Sequence, residues 1–302
     1  MNLHRTVCTW RLRTRSLELG RRTVVMGVVN VTPDSFSDGG LFLDPDVAVE
    51  RGMRLLDEGA DLLDLGAEST RPGSRAGGDH PAVSAEEEWS RLRPVLEGIR
   101  SARPDAVLSV DTYKAATARA ALASGAEIIN DVSGLMWDAE MAGICAGARC
   151  GVVLMHTRNR PEDWKKQAQL PPDDVLELVR AGLAASLEKA TGTGIESDAV
   201  VLDPGYGFGK KFDENYALLA RQDALLSLGR PLLAGLSRKS FLGRTLAAFS
   251  GGQSAPVAAR ETASVAAMVA AILQGASLVR VHEVRPALEA VRIADAVLEA
   301  DR

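Results

Sequence analysis

The fold of this chain is indicated by one stretch, Val28-Val29-Asn30-Val31-Thr32-Pro33-Asp34-Ser35-Phe36-Ser37-Asp38-Gly39-Gly40. Its apolar beginning is typical of a buried strand, and its continuation is typical of a loop rich in side-chain oxygens and closed by proline and glycine. A polar loop that directly follows a buried strand is how a site is built on a parallel barrel. The stretch therefore predicts a fold class and the edge of the fold that carries the site.

From Thr23 onward the chain repeats one unit, a short apolar run followed by a longer segment with helical periodicity. Eight apolar runs predict strands over residues 24–29, 62–65, 107–110, 127–129, 152–155, 199–202, 232–235 and 278–281. Apolar residues three and four positions apart predict helices, among them residues 46–58, 85–99, 114–124, 173–189 and 264–274. Eight strand-helix units predict an α/β fold, namely a closed (β/α)8 TIM barrel.

The N-terminal segment, residues 5–22, is rich in arginine and poor in acidic residues, which superficially resembles an organelle transit peptide. However, Trp10-Arg11-Leu12-Arg13-Thr14-Arg15 alternates with a period of two, which is typical of a half-buried strand. We therefore expect residues 1–22 to include a short β-hairpin that covers one end of the barrel. No linker or low-complexity segment interrupts the sequence, so residues 1–302 are expected to form one domain.

Three predicted helices end in Gly-Ala directly before the next strand, at Gly59, Gly125 and Gly275. Glycine at this position accommodates the left-handed backbone that often terminates a helix. These glycines are therefore expected to be structural.

Composition excludes several classes of function. Forty acidic and 35 basic residues leave a net charge of -5, which argues against nonspecific binding to nucleic acid. Cys8, Cys145 and Cys150 form neither a disulfide framework nor a metal-ligand spacing, and their odd number suits a reducing compartment such as the cytoplasm. No apolar stretch is long enough to cross a bilayer, so the chain is not expected to be integral to a membrane.

Polar side chains follow nearly every predicted strand. They are Asn30, Glu68, Asp111, Asn130, His156, Asp203, Ser237 and the pair Arg280 and His282. Because functional groups of parallel barrels lie at the carboxyl ends of the strands, these residues are expected to converge at one mouth. Each residue alone has an ordinary structural explanation, such as a turn at Asp203 or a helix cap at Asn130, and it is their regular placement that indicates a site.

Two of these stretches closely resemble the signatures of the dihydropteroate synthase family, namely Asn30-Val31-Thr32-Pro33-Asp34-Ser35-Phe36-Ser37-Asp38 and Glu68-Ser69-Thr70-Arg71-Pro72-Gly73. Further motifs match in family order: Val110-Asp111-Thr112, Ile129-Asn130-Asp131, Met155-His156, Asp203-Pro204-Gly205-Tyr206-Gly207-Phe208-Gly209-Lys210, Ser237-Arg238-Lys239-Ser240 and Arg280-Val281-His282. The resemblance runs from about Val25 to the C-terminus. It implies a TIM barrel that condenses (7,8-dihydropterin-6-yl)methyl diphosphate with 4-aminobenzoate and releases pyrophosphate.

Such a substrate needs a group that reads the pterin ring. The aminopyrimidinone edge of a pterin offers adjacent donors, which match a carboxylate that accepts two parallel hydrogen bonds. Asp203 is the candidate, and the resemblance agrees. By resemblance, Asn130 and Asp111 read the other ring atoms and Lys239 meets the pterin carbonyl oxygen.

The diphosphate needs cations and a metal. Arg71, Arg280 and His282 are donors suited to phosphate oxygens, and the resemblance places Thr70 beside them. Asn30 offers a hard oxygen of the kind that Mg²⁺ accepts, and by resemblance it binds one Mg²⁺ ion.

The 4-aminobenzoate pocket is assigned by resemblance alone. Its walls are Thr70, Arg71, Pro72, Phe36 and Phe208, with Phe208 and Pro72 sandwiching the ring. Its carboxylate lies near Ser240, where a loop enters a helix whose free backbone N–H groups attract an anion.

The expected mechanism is a dissociative substitution. Departure of pyrophosphate leaves a methylene cation that is delocalised into the dihydropterin, so a nearby anion stabilises the transition state. Asp111 is the candidate anion, and Arg71 and Lys239 complete the expected catalytic set. The aniline nitrogen needs no strong base because it is already unprotonated at neutral pH.

Two alternatives from other functional classes stay open at this point. One is a catalytically inert pterin-binding homologue, which we expect to have lost residues such as Asn30 or Arg71. The other is a methyltetrahydrofolate-corrinoid methyltransferase, which shares the pterin-reading Asp and Asn but has no use for a diphosphate-binding loop. The chain keeps both loops, which favours the synthase. The resemblance further implies a homodimer, formed through the last helices and including the alanine-rich face of residues 263–271.

Overall fold

The structure is a computed structural model that describes residues 5–31, 44–68 and 83–300. Eight parallel strands close into a barrel in the order β10-β3-β4-β5-β6-β7-β8-β9. They are β3 (Val24–Asn30), β4 (Leu62–Gly66), β5 (Leu108–Asp111), β6 (Ile128–Asp131), β7 (Gly151–Met155), β8 (Val200–Asp203), β9 (Leu232–Ala234) and β10 (Ala276–Val281). The predicted TIM barrel is confirmed.

Helices surround the barrel. Those in the described ranges are α1 (Pro45–Asp57), α2 (Ala85–Ala102), α3 (Ala115–Ala123), α4 (Met141–Ala148), α5 (Pro172–Gly192), α6 (Phe212–Ala220), α7 (Ser240–Thr245), α8 (Glu261–Leu273) and α9 (Val284–Ala300). The five helices predicted from periodicity are α1, α2, α3, α5 and α8, with ends within three residues of the prediction. Within these same ranges, no helix is both long and apolar enough to span a membrane.

Several strands extend one or two residues beyond their predicted ends. β5 ends at Asp111 rather than Val110, because Asp111 pairs with Gly66 on one side and Asn130 on the other. β8 likewise ends at Asp203. These polar side chains are therefore held by the hydrogen-bonded ladder of the barrel, which orients them more rigidly than a loop does.

The predicted hairpin is present, with β1 (Cys8–Arg11) pairing antiparallel to β2 (Ser16–Leu19). The alternating pattern had predicted a strand through Arg15, and this extent is wrong. The backbone N–H of Leu12 donates to the carbonyl oxygen of Arg15 at 2.8 Å, which closes a turn. Leu12 is nevertheless buried. The alternation of apolar and polar residues therefore continues past Arg11 because Leu12 is buried in the turn, and not because the strand is longer.

The hairpin seals the amino end of the barrel. Trp10 is fully buried, and its indole N–H donates to the carbonyl oxygen of Ala199 at 2.9 Å. Together with Leu12 and Leu19, it packs on an inner layer of apolar strand residues: Val24, Met26, Leu62, Val107, Ile128, Val153, Val201, Leu233 and Leu278. Since the lower interior is apolar and closed by the hairpin, the polar groups of the barrel interior lie above this layer, toward the carboxyl ends of the strands.

The Gly-Ala helix ends also follow the prediction. Gly59, Gly125 and Gly275 have φ values of +108°, +102° and +93°, which is the left-handed region that glycine tolerates best.

We predict that Trp10→Ala lowers the free energy of unfolding by about 3–5 kcal/mol, because it opens a large cavity under the barrel. Urea denaturation monitored by far-UV circular dichroism measures the change. Arg21→Ala is the control, since Arg21 lies on the same hairpin segment but forms a solvent-exposed pair with Glu18, and it should leave the midpoint unchanged. Equal effects of the two variants would contradict this role of the hairpin.

Candidate functional site

Residues at the carboxyl end of neighbouring strands lie in one register. Asn30 pairs with Gly66, Gly66 with Asp111, and Asp111 with Asn130. Since paired residues of adjacent parallel strands point to the same face, these side chains share the mouth of the barrel. Three residues predicted from strand ends are thereby brought together.

A buried carboxylate connects the groups at this mouth. Asp64, in the middle of β4, is fully buried. Its Oδ2 accepts hydrogen bonds from Arg280 Nε at 2.6 Å and from Asn130 Nδ2 at 2.9 Å, and its Oδ1 accepts one from the Ser109 hydroxyl at 2.6 Å. Asp64 therefore orients both a cation and an amide of the predicted site.

Arg280 is shared by two carboxylates. Its Nη2 donates to Asp111 Oδ2 at 2.8 Å, while its Nε is bonded to Asp64. Asp111 and Arg280 remain partly accessible, with side chains 23% and 21% exposed. Arg280 Nη1 makes no hydrogen bond to a carboxylate within the described residues, so it can donate to a substrate oxygen.

Asp111 has an unusual protonation equilibrium. Burial raises the pKa of its carboxyl group to about 7, and the Arg280 guanidinium opposes this effect. The neighbouring carboxylates of Asp64 and Glu88 raise the same pKa further. Asp111 thus changes charge close to neutral pH.

Asp203 lies on the opposite side of the mouth, at the end of β8, and is 5% exposed. Its Oδ1 accepts a hydrogen bond from the backbone N–H of Gly205 at 2.7 Å. Burial raises the pKa of this carboxyl group, and that backbone bond and the nearby cations oppose the shift. Gly205 has φ +69°, and a Cβ there would lie 1.9 Å from the carbonyl oxygen of His156, so only glycine fits this turn.

Lys239 and Phe208 meet beside Asp203. Lys239 Nζ lies 3.9 Å from the centroid of the Phe208 ring, a cation–π distance. The Trp164 ring packs edge-to-face against the Phe208 ring, with the two ring centroids 5.6 Å apart. The structure thus brings Lys239, predicted to contact the pterin, and Phe208, predicted to line the aminobenzoate pocket, into contact.

Ser240 is exposed and is the first residue of α7, as the sequence predicted. The helix has six residues, so its dipole is short and contributes little to binding an anion. Any carboxylate near Ser240 therefore depends on the serine hydroxyl and on Lys239.

His282 directly follows β10. Its Nδ1 lies 2.9 Å from the Ser237 hydroxyl, which also accepts the backbone N–H of His282 at 3.3 Å. Ser237 therefore fixes the orientation of the imidazole ring at the rim of the mouth, next to Arg280.

Asn30 is partly exposed at the end of β3. No group of three or more His, Cys, Asp or Glu side chains within residues 5–31, 44–68 and 83–300 could enclose a metal ion. The carboxylates of Asp64 and Asp111 are occupied by Arg280. The Asn30 side-chain oxygen is thus the predicted protein donor that remains, and a single donor fits a Mg²⁺ ion that keeps most of its waters and takes other ligands from substrate phosphates.

Four predicted site residues, Phe36, Thr70, Arg71 and Pro72, lie outside the described residues. Glu68 and Val83 are the described residues on either side of residues 69–82. Glu68 accepts a hydrogen bond from the backbone N–H of Val83 at 2.9 Å and forms a salt bridge with Lys114. Lys114 also lies 3.4 Å from the buried carboxylate of Glu88.

Sequence reasoning missed Asp64, whose carboxylate accepts three side-chain hydrogen bonds beneath the mouth. The signal was available, because Leu62-Leu63-Asp64-Leu65-Gly66 places one carboxylate inside an otherwise apolar strand. A charged residue in such a run needs a partner, and that expectation identifies it without coordinates.

Known proteins resemble this chain over most of its length. The family described as "Pterin binding enzyme" matches residues 26–282. The dihydropteroate synthase of Mycobacterium leprae (strain TN) is 45% identical over 276 residues, which cover 91% of this chain and 94% of that relative.

Solved structures of dihydropteroate synthases are also similar to this chain. The Yersinia pestis dihydropteroate synthase in a sulfonamide drug complex matches with a TM-score of 0.85 and 38% identity, covering 97% of this chain and 99% of that one. The Xanthomonas albilineans dihydropteroate synthase with 7,8-dihydropteroate matches with a TM-score of 0.79 and 39% identity, covering 96% and 98%. The same Xanthomonas enzyme with 4-aminobenzoic acid matches with a TM-score of 0.83 and 41% identity, covering 97% and 98%.

We predict that Asp64→Asn destabilises the fold by about 3–5 kcal/mol, because it leaves Arg280 without its most buried counter-ion. It should also lower the pKa of Asp111, since one repelling carboxylate is removed. Denaturant titration and carboxyl-carbon NMR measure the two effects. Asp57→Asn, which breaks a surface pair with Arg103, is the matched control and should have a much smaller effect.

Proposed function

The chain belongs to the dihydropteroate synthase family of pterin-binding enzymes, and on this premise we propose how its site performs the reaction. The activity is the condensation of a dihydropterin methyl diphosphate with 4-aminobenzoate, which yields 7,8-dihydropteroate and pyrophosphate. The observation that carries the proposal is the convergence of Asp111, Asn130, Asp203, Lys239 and Arg280, from five separate strands or strand ends, at one barrel mouth.

The pterin occupies the floor of this mouth. Asp203 accepts two parallel hydrogen bonds from the aminopyrimidinone edge, one on each carboxylate oxygen, because Oδ1 keeps a second lone pair beside its bond from Gly205. Asn130 and Asp111 read the other ring atoms, and Lys239 meets the pterin carbonyl oxygen. The fixed orientation of Asn130, which donates one amide hydrogen to Asp64, leaves its carbonyl oxygen for a ring N–H group.

The diphosphate lies toward the rim. Arg280 offers Nη1, and His282 offers the ring that Ser237 orients. Arg71 and Thr70 complete the set. Two charge-assisted bonds to a phosphate contribute roughly 1.5–3 kcal/mol each, which is enough to favour a diphosphate over an alcohol at this position.

Asn30 would hold a Mg²⁺ ion, which would supply neutralising charge to the pyrophosphate leaving group. The protein groups act on the other half of the reaction. The carboxylate of Asp111 faces the methylene carbon on which positive charge develops, and it stabilises that charge in a partly buried site.

The aminobenzoate ring lies between Phe208 and Pro72, with Phe36, Thr70 and Arg71 as further walls. Its carboxylate is met by the Ser240 hydroxyl beside Lys239. Since the Xanthomonas relative holds 4-aminobenzoic acid and the Yersinia relative holds a sulfonamide drug, we propose that sulfonamides compete with aminobenzoate in this chain.

The quaternary structure and location are also proposals. Ile293 and Val297 are 70% and 49% exposed and lie one turn apart on α9, beside the alanine-rich α8. This apolar surface supports a homodimer formed through the last helices. We also propose a reducing, cytoplasmic location, which the odd number of cysteines in the chain supports. We further propose that residues 1–302 act as one domain.

We predict that the purified protein with Mg²⁺ and both substrates releases pyrophosphate, measured by a coupled assay, and forms dihydropteroate.

Asp203→Asn should weaken pterin binding at least tenfold because the buried acceptor pair is lost, whereas Arg71→Ala should spare pterin binding and slow turnover about 100-fold. Calorimetry with the pterin separates the two. Tight pterin binding without turnover would instead favour the inert homologue, and methyl transfer from methyltetrahydrofolate would favour the methyltransferase.

We predict that kcat falls on the acid side of about pH 7, because protonation of Asp111 removes the anion that stabilises the cation. The raised pKa has the opposite consequence for stability, which this group supports at low pH and loses as the pH rises from about 4 to about 7. Asp111→Asn should be slow at every pH and should lack the acid limb. A limb of unchanged midpoint in that variant would show that another group titrates.

A further inference from the structure

Lys210 is a buried lysine that neither the reaction nor the substrates explain. It is 7% exposed and lies in the segment between β8 and α6. Its Nζ donates to the carbonyl oxygens of Gly205 at 2.7 Å, His156 at 3.3 Å and Phe208 at 3.4 Å. One ammonium group therefore joins the turns that follow β7 and β8.

The bond to Gly205 extends to Asp203. The peptide N–H of Gly205 donates to Asp203 Oδ1, and the carbonyl oxygen of the same residue accepts from Lys210. Lys210 thus holds in place the residue whose N–H group bonds to the proposed pterin acceptor.

The bond to Phe208 reaches the other half-site. The backbone of Phe208 is held by Lys210 at its carbonyl oxygen, by Arg158 N–H at the same oxygen at 3.3 Å, and by Gly205 at its N–H. This backbone sets the ring that Lys239 contacts on one side and Trp164 on another. Displacement of the turn would move the aromatic wall.

We propose that Lys210 is a positioning residue that couples the two half-sites, setting the Phe208 ring against the aminobenzoate and holding Asp203 in place for the pterin. The proposal rests on the proposed function, since it assigns those half-sites to those substrates. Lys210 touches neither substrate and acts through the backbone of residues 205–208.

Charge gives the proposal a second, separable consequence. Lys210, Lys239 and Arg280 are the cations that lower the pKa of Asp203 against the effect of its burial. Lys210 in turn faces Asp203 and Glu214, which favour its charged form, and Lys239 and Arg158, which oppose it, while burial lowers its own pKa to about 7. Removal of the Lys210 charge therefore makes Asp203 easier to protonate.

The test compares Lys210→Met with Lys211→Met. Lys211 is the adjacent lysine, and its ammonium group makes an exposed contact with the carbonyl oxygen of Lys165 at 3.4 Å. In pyrophosphate-release assays, Lys210→Met should raise the KM for aminobenzoate about tenfold with a smaller change in kcat, because lost charge-assisted bonds loosen the Phe208 wall. Lys211→Met should match the wild type.

The pH dependence of pterin binding, measured by fluorescence, gives the second readout. The acid limb of binding should move to higher pH in Lys210→Met and return toward the wild-type position in Lys210→Arg, which restores the charge. If Lys210→Met does not fold, Lys210→Gln keeps N–H donors without the charge and should show the same shifted limb.

A folded Lys210→Met or Lys210→Gln variant with unchanged aminobenzoate KM and an unchanged acid limb would overturn the proposal, as would equal effects of Lys211→Met. Failure of the wild type to release pyrophosphate would count against the proposed function instead. In that case the acid limb of pterin binding still decides the role of Lys210.

Discussion

The paired contact of Arg280 with Asp64 and Asp111 is the interaction on which the site depends. It places a carboxylate with no exposed surface inside a barrel, which is tolerated only because a guanidinium group and two neutral donors satisfy it. Arg280 is 216 residues from Asp64 in the sequence. The first and last parts of the barrel are thus joined at its mouth by charge as well as by the strand ladder.

This charge is possible because the barrel interior is divided into two layers. The lower layer is apolar and closed by Trp10 of the hairpin, so water does not reach the buried charges from below. The upper layer is polar and opens to solvent at the carboxyl ends of the strands. Alternate residues of one strand serve both layers, as Leu62 packs against the hairpin and Asp64 holds Arg280.

The same division explains why the candidate site is rigid where the pterin is proposed to bind. Asp111, Asn130 and Asp203 belong to strands, and their side-chain directions follow from the ladder. The second half-site is built differently, from the turn that carries Phe208 and from residues that follow β9. There the orientation depends on backbone hydrogen bonds such as those made by Lys210.

The eight-fold alternation of apolar runs and helical segments determined the barrel from sequence, because strand and helix periods are local properties and short connections permit few topologies. The polar residues at strand ends likewise determined the mouth and most of its members, including Asn30, Asp111 and Asp203. Tertiary structure alone decided that Asp64 is the partner of Arg280, that Lys210 joins two turns, and that the hairpin ends its first strand at Arg11. Those features depend on contacts between residues far apart in the sequence or on the backbone path of a turn, and neither is encoded in a local pattern of residue types.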